Sequence, residues 1–379
     1  MKKGGQLSEK WKILFTIPNF DTAGSGKALL NIASRLDKKN FEPHIACLHD
    51  KGEFFKVVEE SAIPIHIFQF TTPMTLRIKG LFQCGGISRR MKKINPNLIH
   101  SFHYAPDYSE AIAARMAGIP WIFTKKNMNW GGKSKNGWKL RCFLASYILA
   151  QNKDMIRDFF PHLKNVSPVP RGVDTDKFSS GPKVTNLMHK YNISTHEKVI
   201  LTVANLVPVK GIEILLDAFQ KLSKNHDSLR LLIVGDNDND YGCEMEKKAT
   251  QSVYSDKIHF TGKVQDVKEY YSIADVFVLP TLDKGRREGC PVSLLEAMSS
   301  GLLIIASDIP GVRDILKSFP DSMFLAGNVE ALYQKISLLL QIDFKQENGN
   351  NYRLRVEQFY SIHREVDQHQ SIYEKCLTR

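Results

Sequence analysis

Short apolar runs alternate with stretches of helical periodicity along the chain, and this alternation restarts after a segment near the middle. Runs such as Lys12–Ile17 and Lys198–Val203 have the length and composition of buried strands. Segments such as Lys27–Leu36 and Gly211–Leu222, which lie between these runs, have the period of helices. Strands that alternate with helices indicate parallel sheets, so the pattern predicts two doubly wound α/β domains with a cleft between them.

The same pattern predicts the individual elements. In the first half, strands are expected at Lys12–Ile17, Pro43–Leu48, Ile65–Phe70, Leu98–Phe102 and Trp121–Thr124, and helices at Lys27–Leu36 and Ser109–Ala117, with Gly118 ending the second. In the second half, strands are expected at Lys198–Val203, Leu229–Val234, Lys257–Phe260, Val276–Leu279 and Leu302–Ala306, and helices at Gly211–Leu222, Gln265–Ala274, Pro291–Ser300 and Val329–Leu340. The stretch Ser167–Pro182 has the composition of an interdomain hinge, and 379 residues suit two domains.

The positive charge lies in the N-terminal half. Residues 1–180 carry 28 Lys and Arg against 14 Asp and Glu, whereas residues 181–379 carry 24 against 26. This asymmetry predicts an anionic partner for the first half. The segments Leu76–Lys93 and Lys125–Arg141 mix basic with large apolar residues, which suits docking on anionic lipid; a solvated basic face above ordinary core residues is the alternative. No nucleic-acid-binding motif accompanies the charge, so nucleic acid is not expected.

The spacing of the cysteines and the length of the apolar stretches indicate the cellular compartment of the protein. The six cysteines lie far apart without a CxxC pair, which argues against a disulfide framework or a zinc site and suits a reducing cytoplasm. The longest stretch without a charged residue, Ser61–Leu76, is shorter than the roughly 20 apolar residues of a membrane span. The basic N-terminus has no cleavage site of a signal peptide. We expect a cytoplasmic protein, peripheral on the inner face of the cytoplasmic membrane.

The most informative motif is Arg287–Met298 (REGCPVSLLEAM), which contains two glutamates eight residues apart. Glu288 precedes the helix that Pro291 is expected to begin, and Glu296 lies about two turns further on. The helix follows a predicted buried strand, so its N-terminal amides would point beyond the carboxyl end of the sheet. Such amides attract phosphate or sugar oxygens.

With these residues the sequence resembles the retaining nucleotide-sugar glycosyltransferases of family 4, glycosyltransferase group 1. Their fold, named GT-B, has two Rossmann-like domains facing across a cleft. Five segments carry the resemblance: Glu288–Met298 (EGxPxxLLEAM in the family), Pro170–Phe178 (PNGVDxxxF), Val203–Phe219, Phe260–Val264 and Ile309–Ile315. The resemblance implies an acceptor-side domain over residues 1–177, a nucleotide-sugar-binding domain over 178–354, and a C-terminal helix within 355–379 that packs back on the first domain.

The resemblance also implies a role for each matched position. Lys210 would contact the donor pyrophosphate, and Glu288 would lie at the donor sugar near the reacting centre. Glu296 would accept hydrogen bonds from the ribose, and Val264 would meet the base through its main chain. The donor-binding positions that it implies are Gly24, Ser25, Gly26, Asn205, Val264, Cys290, Pro291, Val292 and Glu296. His103 and Lys126 would lie on the acceptor or sugar side.

Two positions depart from the family pattern. Asn205 stands where the family usually has an Arg, which removes half of the usual cationic clamp on the diphosphate. Arg286 or Arg287 could replace that Arg by proximity. Lys126 stands where the family commonly has a His near the donor sugar.

No metal is expected. The aspartate-rich run Asp236–Asp240 lacks the Gly and Glu of a calcium loop, and His100 and His103 have no obvious third ligand. The expected function is a metal-independent, retaining transfer without a cofactor, from a nucleoside-diphosphate sugar to a glycan or lipid-linked acceptor in bacterial surface-glycan biosynthesis. The alternatives are a nucleotide-sugar-binding protein of the same fold with weakened catalysis and an epimerase or phosphorylase of this architecture.

Overall fold

Apolar side chains build two parallel sheets whose strands are buried on both faces. Ile13, Leu14 and Phe15 of the first strand have no exposed surface, and neither do Ile200 and Leu201 of the eighth. The sequences of parallel strands are continuous apolar runs because helices cover both faces of the sheet. The structure is a computed structural model that describes residues 10–21, 23–130, 132, 134–264, 266–285, 287–341 and 345–378.

The chain forms two compact units. Unit 1 comprises Met1–Val169 with Glu365–Arg379, and unit 2 comprises Pro170–Arg364. The boundary therefore lies eight residues before the predicted one, because Pro170–Phe178 packs within unit 2: the Val173 amide donates to the Tyr360 carbonyl, and the Phe178 ring contacts Tyr271.

Unit 1 contains a seven-stranded parallel sheet within the described residues. Its strands are Trp11–Thr16 (β1), Phe41–Cys47 (β2), Ile65–Ile67 (β3), Leu98–Ser101 (β4), Trp121–Lys125 (β5), Tyr147–Ala150 (β6) and Val166–Pro168 (β7). Its helices are Ala23–Arg35 (α1), Phe55–Glu59 (α2), Arg77–Ile94 (α3), Ser109–Ala117 (α4), Lys135–Leu144 (α5) and Lys153–Phe159 (α6).

Unit 2 contains a six-stranded parallel sheet within the described residues. Its strands are Lys198–Val203 (β8), Leu229–Val234 (β9), Ile258–Phe260 (β10), Val276–Leu279 (β11), Leu303–Ser307 (β12) and Met323–Phe324 (β13). The helices of the second half are Thr185–Lys190 (α7), Ile212–Ser223 (α8), Asp240–Thr250 (α9), Lys268–Ile273 (α10), Val292–Ser299 (α11), Val312–Ile315 (α12), Val329–Gln341 (α13), Lys345–Phe359 (α14) and Ile362–Leu377 (α15).

Strand order places a switch point in each sheet. The first sheet runs β3-β2-β1-β4-β5-β6-β7, and the second runs β10-β9-β8-β11-β12-β13. Successive strands are added on one side of β1 up to β3 and on its other side from β4 onward, and β8 and β11 mark the same change in unit 2. Ligands of open parallel sheets bind beyond the carboxyl ends of the strands at such points. The predicted α/β class with two doubly wound domains is confirmed.

The C-terminal helix α15 packs on the sheet of unit 1. Tyr373 is fully buried, its ring lies against Phe15 and Phe41, and its hydroxyl lies 2.7 Å from His100 Nδ1. The range expected for the C-terminal helix, 355–379, contains the end of α14 as well as α15, because the chain leaves helical geometry between them to pair Ser361 with Val173.

One predicted lipid-docking segment, Lys125–Arg141, is partly in the core and partly exposed. In Lys125–Arg141, the side chains of Lys125, Trp138 and Arg141 have at most 1% of their surface exposed. Basic and aromatic side chains stack on one another inside unit 1 here, so these three residues are not part of a surface, whereas Lys135 and Lys139 of the same segment are exposed. Of the described helices, none has the length and apolar character needed to cross a membrane.

Candidate functional site

The loop after β8 brings Lys210 to the end of β11. Gly211 has a φ of +64°, and a Cβ built on it would lie 2.2 Å from the Pro280 carbonyl oxygen, so only glycine fits. The Leu282 amide donates to the Val209 carbonyl at 2.8 Å, which ties this loop to the chain beyond β11. The backbone therefore places Lys210 at the switch point of unit 2.

Lys210 and Glu288 form an ion pair in unit 2. Lys210 Nζ lies 2.7 Å from Glu288 Oε1, and the lysine side chain is 9% exposed against 44% for the glutamate. The turn after β12 supports this loop, because a Cβ on Gly311 would lie 2.6 Å from the Gly289 carbonyl oxygen. A buried cation thus lies beside a carboxylate that solvent can reach.

Helix α11 begins beside this pair. Pro291 precedes the helix with an extended ψ of 109°, and Val292 is the first helical residue, so the expected helical start at Pro291 was one residue early. Cys290 and Pro291 are buried. The first amides of a helix lack acceptors within it, so the start of α11 offers donors and a partial positive charge to an anion.

Tyr271 holds Glu296 inside unit 2. The Tyr271 hydroxyl lies 2.9 Å from Glu296 Oε2 and 3.2 Å from the Ser293 carbonyl oxygen. Burial and the Glu296 carboxylate raise the pKa of Tyr271 well above its usual range, so the phenol stays protonated and donates. Sequence reasoning missed Tyr271, because two adjacent tyrosines in a helix of six residues carry no pattern that distinguishes either of them from a core residue.

The remaining donor-side candidates lie beyond neighbouring strands of the same sheet. Asn205 follows β8 and is exposed, and Val264 follows β10 and is half-buried. Gly235, after β9, forms an isolated bridge with Gly262, and a Cβ on it would lie 1.8 Å from the Ala204 carbonyl oxygen. Close backbone packing therefore gathers the loops after β8, β9 and β10 at the carboxyl edge of the sheet.

In unit 1, Lys126 contacts Ser25, which is another candidate, and Phe102, which directly precedes the candidate His103. It follows β5, and its Nζ donates to the Phe102 carbonyl at 2.6 Å and to Ser25 Oγ at 3.2 Å. Ser25 is in the first turn of α1, and Phe102 follows β4. Lys126 therefore lies at the switch point of unit 1.

The donor-binding positions expected just before the helix at Lys27–Leu36 are themselves part of that helix. Gly24, Ser25 and Gly26 belong to the first turn of α1, which begins at Ala23 rather than at Lys27. A Cβ on Gly26 would lie 2.7 Å from the Phe20 ring, so this glycine is needed for packing. Gly24 has nothing within 4 Å of such a Cβ.

The two closely spaced histidines that follow the start of β4, His100 and His103, have different surroundings. His100 is fully buried, with Nε2 2.8 Å from Thr124 Oγ1, and is a core residue. Burial, with smaller contributions from Arg141 and Lys126, lowers the pKa of His103 to about 3, so its imidazole is neutral. His103 Nδ1 is buried and has no hydrogen-bond partner in the described part of the chain.

Of the two proposed substitutes for the missing Arg, the one that the structure describes is already in an ion pair. Arg287 pairs with Asp283 four residues earlier. Arg286 lies outside the described residues.

In the aspartate-rich run, Asn239 caps α9 by accepting from the Gly242 amide at 3.0 Å. No group of three or more His, Cys, Asp or Glu side chains among the described residues could hold a metal ion.

Two family models match almost the whole chain. The model described as glycosyl transferases group 1 matches residues 183–355, and the model described as Glycosyltransferase Family 4 matches residues 22–177. Among curated proteins, the chain is similar to the UDP-Gal:alpha-D-GlcNAc-diphosphoundecaprenol alpha-1,3-galactosyltransferase of Escherichia coli, at 24% identity over 362 residues that cover 89% of this chain and 90% of that protein.

Solved structures share the fold. A glycosyltransferase from Rickettsia africae superposes with a TM-score of 0.85 at 19% identity, covering 98% of this chain and 99% of that one. The Anabaena protein HepE, in complex with UDP, superposes with a TM-score of 0.81 at 17% identity, covering 96% and 100%. At these identities the likeness shows the fold alone.

Proposed function

The chain belongs to the group 1 glycosyltransferases with the GT-B fold, and we propose that it transfers a sugar from a nucleoside-diphosphate sugar with retention of the anomeric configuration. The observation that carries this proposal is the buried Lys210 paired with Glu288 beside the start of α11. A cation and helix amides at the switch point suit a diphosphate, and the neighbouring carboxylate suits a sugar.

The negative charge that forms on the leaving diphosphate during the reaction explains the role of Lys210. As the bond between the sugar C1 and the diphosphate oxygen breaks, the electron pair goes to that oxygen. Lys210 and the first amides of α11 stabilise the new charge. The acceptor hydroxyl attacks C1 from the same face and gives its proton to the leaving phosphate. Fixed donors at a developing charge are among the largest contributions to catalysis.

Donor binding would exchange the partner of Lys210. Without donor, Glu288 neutralises the ammonium at 2.7 Å. A diphosphate carries more charge and would displace the carboxylate, which then becomes available to the hydroxyls of the sugar. The carboxylate also stabilises positive charge near C1 in an oxocarbenium-like transition state. The pair therefore keeps the buried cation neutralised until the donor arrives.

We expect Glu296→Gln to raise KM for the donor about tenfold with a smaller effect on kcat, because a charged hydrogen bond to the ribose exists in both ground and transition states. Steady-state kinetics with varied donor measures this split. Tyr271→Phe removes the hydroxyl that orients Glu296 and should raise KM less. Tyr270→Phe is the matched control, since the Tyr270 hydroxyl contacts Tyr191 instead. A kcat effect larger than the KM effect would contradict the ribose role.

The acceptor proposed is a lipid-linked sugar of bacterial surface-glycan synthesis. The name of the Escherichia coli relative describes an acceptor on diphosphoundecaprenol. Unit 1 carries the excess of positive charge, and helix α3 exposes Ile78 and Phe82 by 75% and 78%. Its exposed basic residues are Arg77, Lys79, Arg89, Arg90, Lys92 and Lys93. Exposed cations together with apolar side chains favour docking of α3 on an anionic membrane that carries such acceptors.

Activity should persist in excess EDTA, because Lys210 and helix amides supply the charge stabilisation that a metal would otherwise give. The measurement compares release of nucleoside diphosphate in EDTA with release in added Mg²⁺ or Mn²⁺. Loss of activity in EDTA that returns with metal would mean that the aspartate-rich run binds a cation.

A thermal-shift screen tests the proposed function. UDP, GDP, UDP-glucose, UDP-galactose and GDP-mannose are compared with inorganic phosphate, because a ligand that binds the native state alone raises Tm. One class of nucleotide should raise Tm at concentrations where phosphate does not. If none does, the assignment of unit 2 as a donor site fails.

A further inference from the structure

Lys125 is a buried cation that binds the loop following its own strand. The side chain is fully buried at the end of β5. Its Nζ donates to the Asn129 carbonyl at 2.5 Å, to the Tyr104 hydroxyl at 3.1 Å and to the Asn127 carbonyl. The Tyr104 hydroxyl in turn donates to the Asn129 carbonyl. One ammonium group thus connects the loop 126–130 to the loop after β4.

Aromatic rings surround this ammonium group. It lies 4.3 Å from the centroid of Phe159 and between 5.0 and 5.8 Å from those of Tyr104, Trp130 and Trp138. Its contacts among the described residues are oxygen dipoles and ring faces. Burial lowers the pKa of Lys125 to about 7, so holding the charge here opposes the fold. A methionine would fill the same space without that penalty, which indicates that the three hydrogen bonds matter.

Arg141 binds the neighbouring loop in the same way. From α5, it donates to the Asp107 carbonyl at 2.7 Å and to the His103 carbonyl at 2.8 Å. Its guanidinium lies 4.7 Å from the Trp121 ring centroid and 5.7 Å from that of Trp138. Trp138 therefore contacts both buried cations.

The two loops carry the candidates of unit 1. His103 is in the loop that Arg141 binds, and Lys126 begins the loop that Lys125 binds. Lys126 Nζ also donates to the Phe102 carbonyl. This hydrogen bond links the loop that begins at Lys126 to the residue that precedes His103. Without the buried cations, the carbonyl oxygens of Asn127, His103 and Asp107 would each lose a side-chain donor, and the loop that begins at Lys126 would lose its attachment to the Lys125 ammonium group.

We infer that Lys125 and Arg141 are positioning residues, which bind the carbonyl oxygens of loops 103–108 and 126–130 and hold His103 and Lys126 in place for sugar transfer. Neither cation touches substrate; each acts through the loop that it binds. The inference rests on the proposed function in one respect, namely that sugar transfer is the reaction these loops serve.

Hydrogen–deuterium exchange of the protein without ligand tests the positioning itself. Lys125→Met keeps the apolar stem and removes the donors, and should speed exchange in 126–130 at least tenfold while β4 and β5 exchange as before. Tyr104→Phe, which removes only the bridging hydroxyl, should act in the same direction and provides the test if Lys125→Met does not fold. Phe41→Leu is the packing control: Phe41 is buried against Trp11 and Tyr373, so the change should lower Tm without speeding exchange in this loop.

A double-substitution cycle tests the link to catalysis. If Lys125 acts through Lys126, then Lys125→Met should lower kcat about tenfold, and adding it to Lys126→Met should cost nothing further. UDP-glucose, UDP-galactose and GDP-mannose are the donors tried, and nucleotide binding in the thermal-shift screen should be unchanged. Unchanged exchange in 126–130, or kcat losses that multiply, would overturn the inference. If the wild-type protein turns over none of these donors, the proposed function fails. The hydrogen–deuterium exchange result then decides by itself whether Lys125 holds the loop 126–130.

Discussion

Lys210→Ala should lower kcat/KM about 10²–10³-fold, the loss that follows removal of one charge-stabilising donor from a transition state. The effect should fall mainly on kcat, because the charge on the leaving diphosphate increases as the sugar departs. The measurement is release of nucleoside diphosphate from the donor that raises Tm most. Folding should be little affected, since the partner left behind, Glu288, is 44% exposed and water can solvate it.

Lys221→Ala is the matched control for this variant. Lys221 Nζ lies 2.7 Å from Glu330 Oε2, the distance of the Lys210–Glu288 pair, but both partners are about half exposed. Exposed ion pairs contribute about 0–1 kcal/mol, so neither activity nor stability should change appreciably. Equal activity of Lys210→Ala and Lys221→Ala would end the assignment of Lys210 to the diphosphate.

Neutralising the C-terminal half of α3 should abolish most binding to anionic membranes. Each basic residue near such a surface contributes roughly 1 kcal/mol, so replacing four of them lowers the partition coefficient about 10²–10³-fold. The quadruple variant replaces Arg89, Arg90, Lys92 and Lys93 by Ser or Gln. Cosedimentation with phosphatidylserine-containing vesicles measures the loss, and wild-type binding should weaken steeply with salt and be slight on neutral vesicles.

Two further variants separate charge from apolar contact. A control that neutralises four exposed lysines of unit 2 removes the same charge and should keep vesicle binding; the residues are Lys224, Lys247, Lys268 and Lys317. Ile78→Ser with Phe82→Ser removes exposed apolar surface and should weaken binding by an amount that salt does not change. Donor hydrolysis should be intact in each. If the α3 variant binds vesicles like the parent, this helix is a solvated face.

Much of the fold could be predicted because burial on both faces leaves a clear pattern. β8, β9, β11 and α4 have the predicted bounds, since continuous apolar runs and the left-handed Gly118 mark their ends. The predicted helix–loop boundary at Gly24–Gly26 was wrong, because glycines that permit a close approach to Phe20 resemble glycines of a loop in sequence. β7 and β13 were missed because they have only three and two residues, and β6 was missed because its apolar run follows the apolar end of α5 with only Ser146 to separate the two.

The site was predictable only where one motif carries it. Glu288, Glu296 and Lys210 have recognisable spacing, and the structure brings Lys210 and Glu288 into contact. The burial of Lys125 and Arg141 could not be predicted, because their charges indicate a surface and only the fold shows the rings stacked around them. The contact of Tyr271 with Glu296 joins residues 25 apart and likewise depends on tertiary packing.

The most direct test of the central claim is a ¹H NMR time course of the protein with an α-linked nucleoside-diphosphate sugar in EDTA. Transferases hydrolyse their donors slowly when no acceptor is present, and the anomeric proton identifies the sugar that is released first. If the enzyme is retaining and independent of metal, we expect release of nucleoside diphosphate together with the α-anomer of the free sugar, before mutarotation mixes the two anomers. Appearance of the β-anomer first, or no release from any of the UDP-linked and GDP-linked donors, would contradict it.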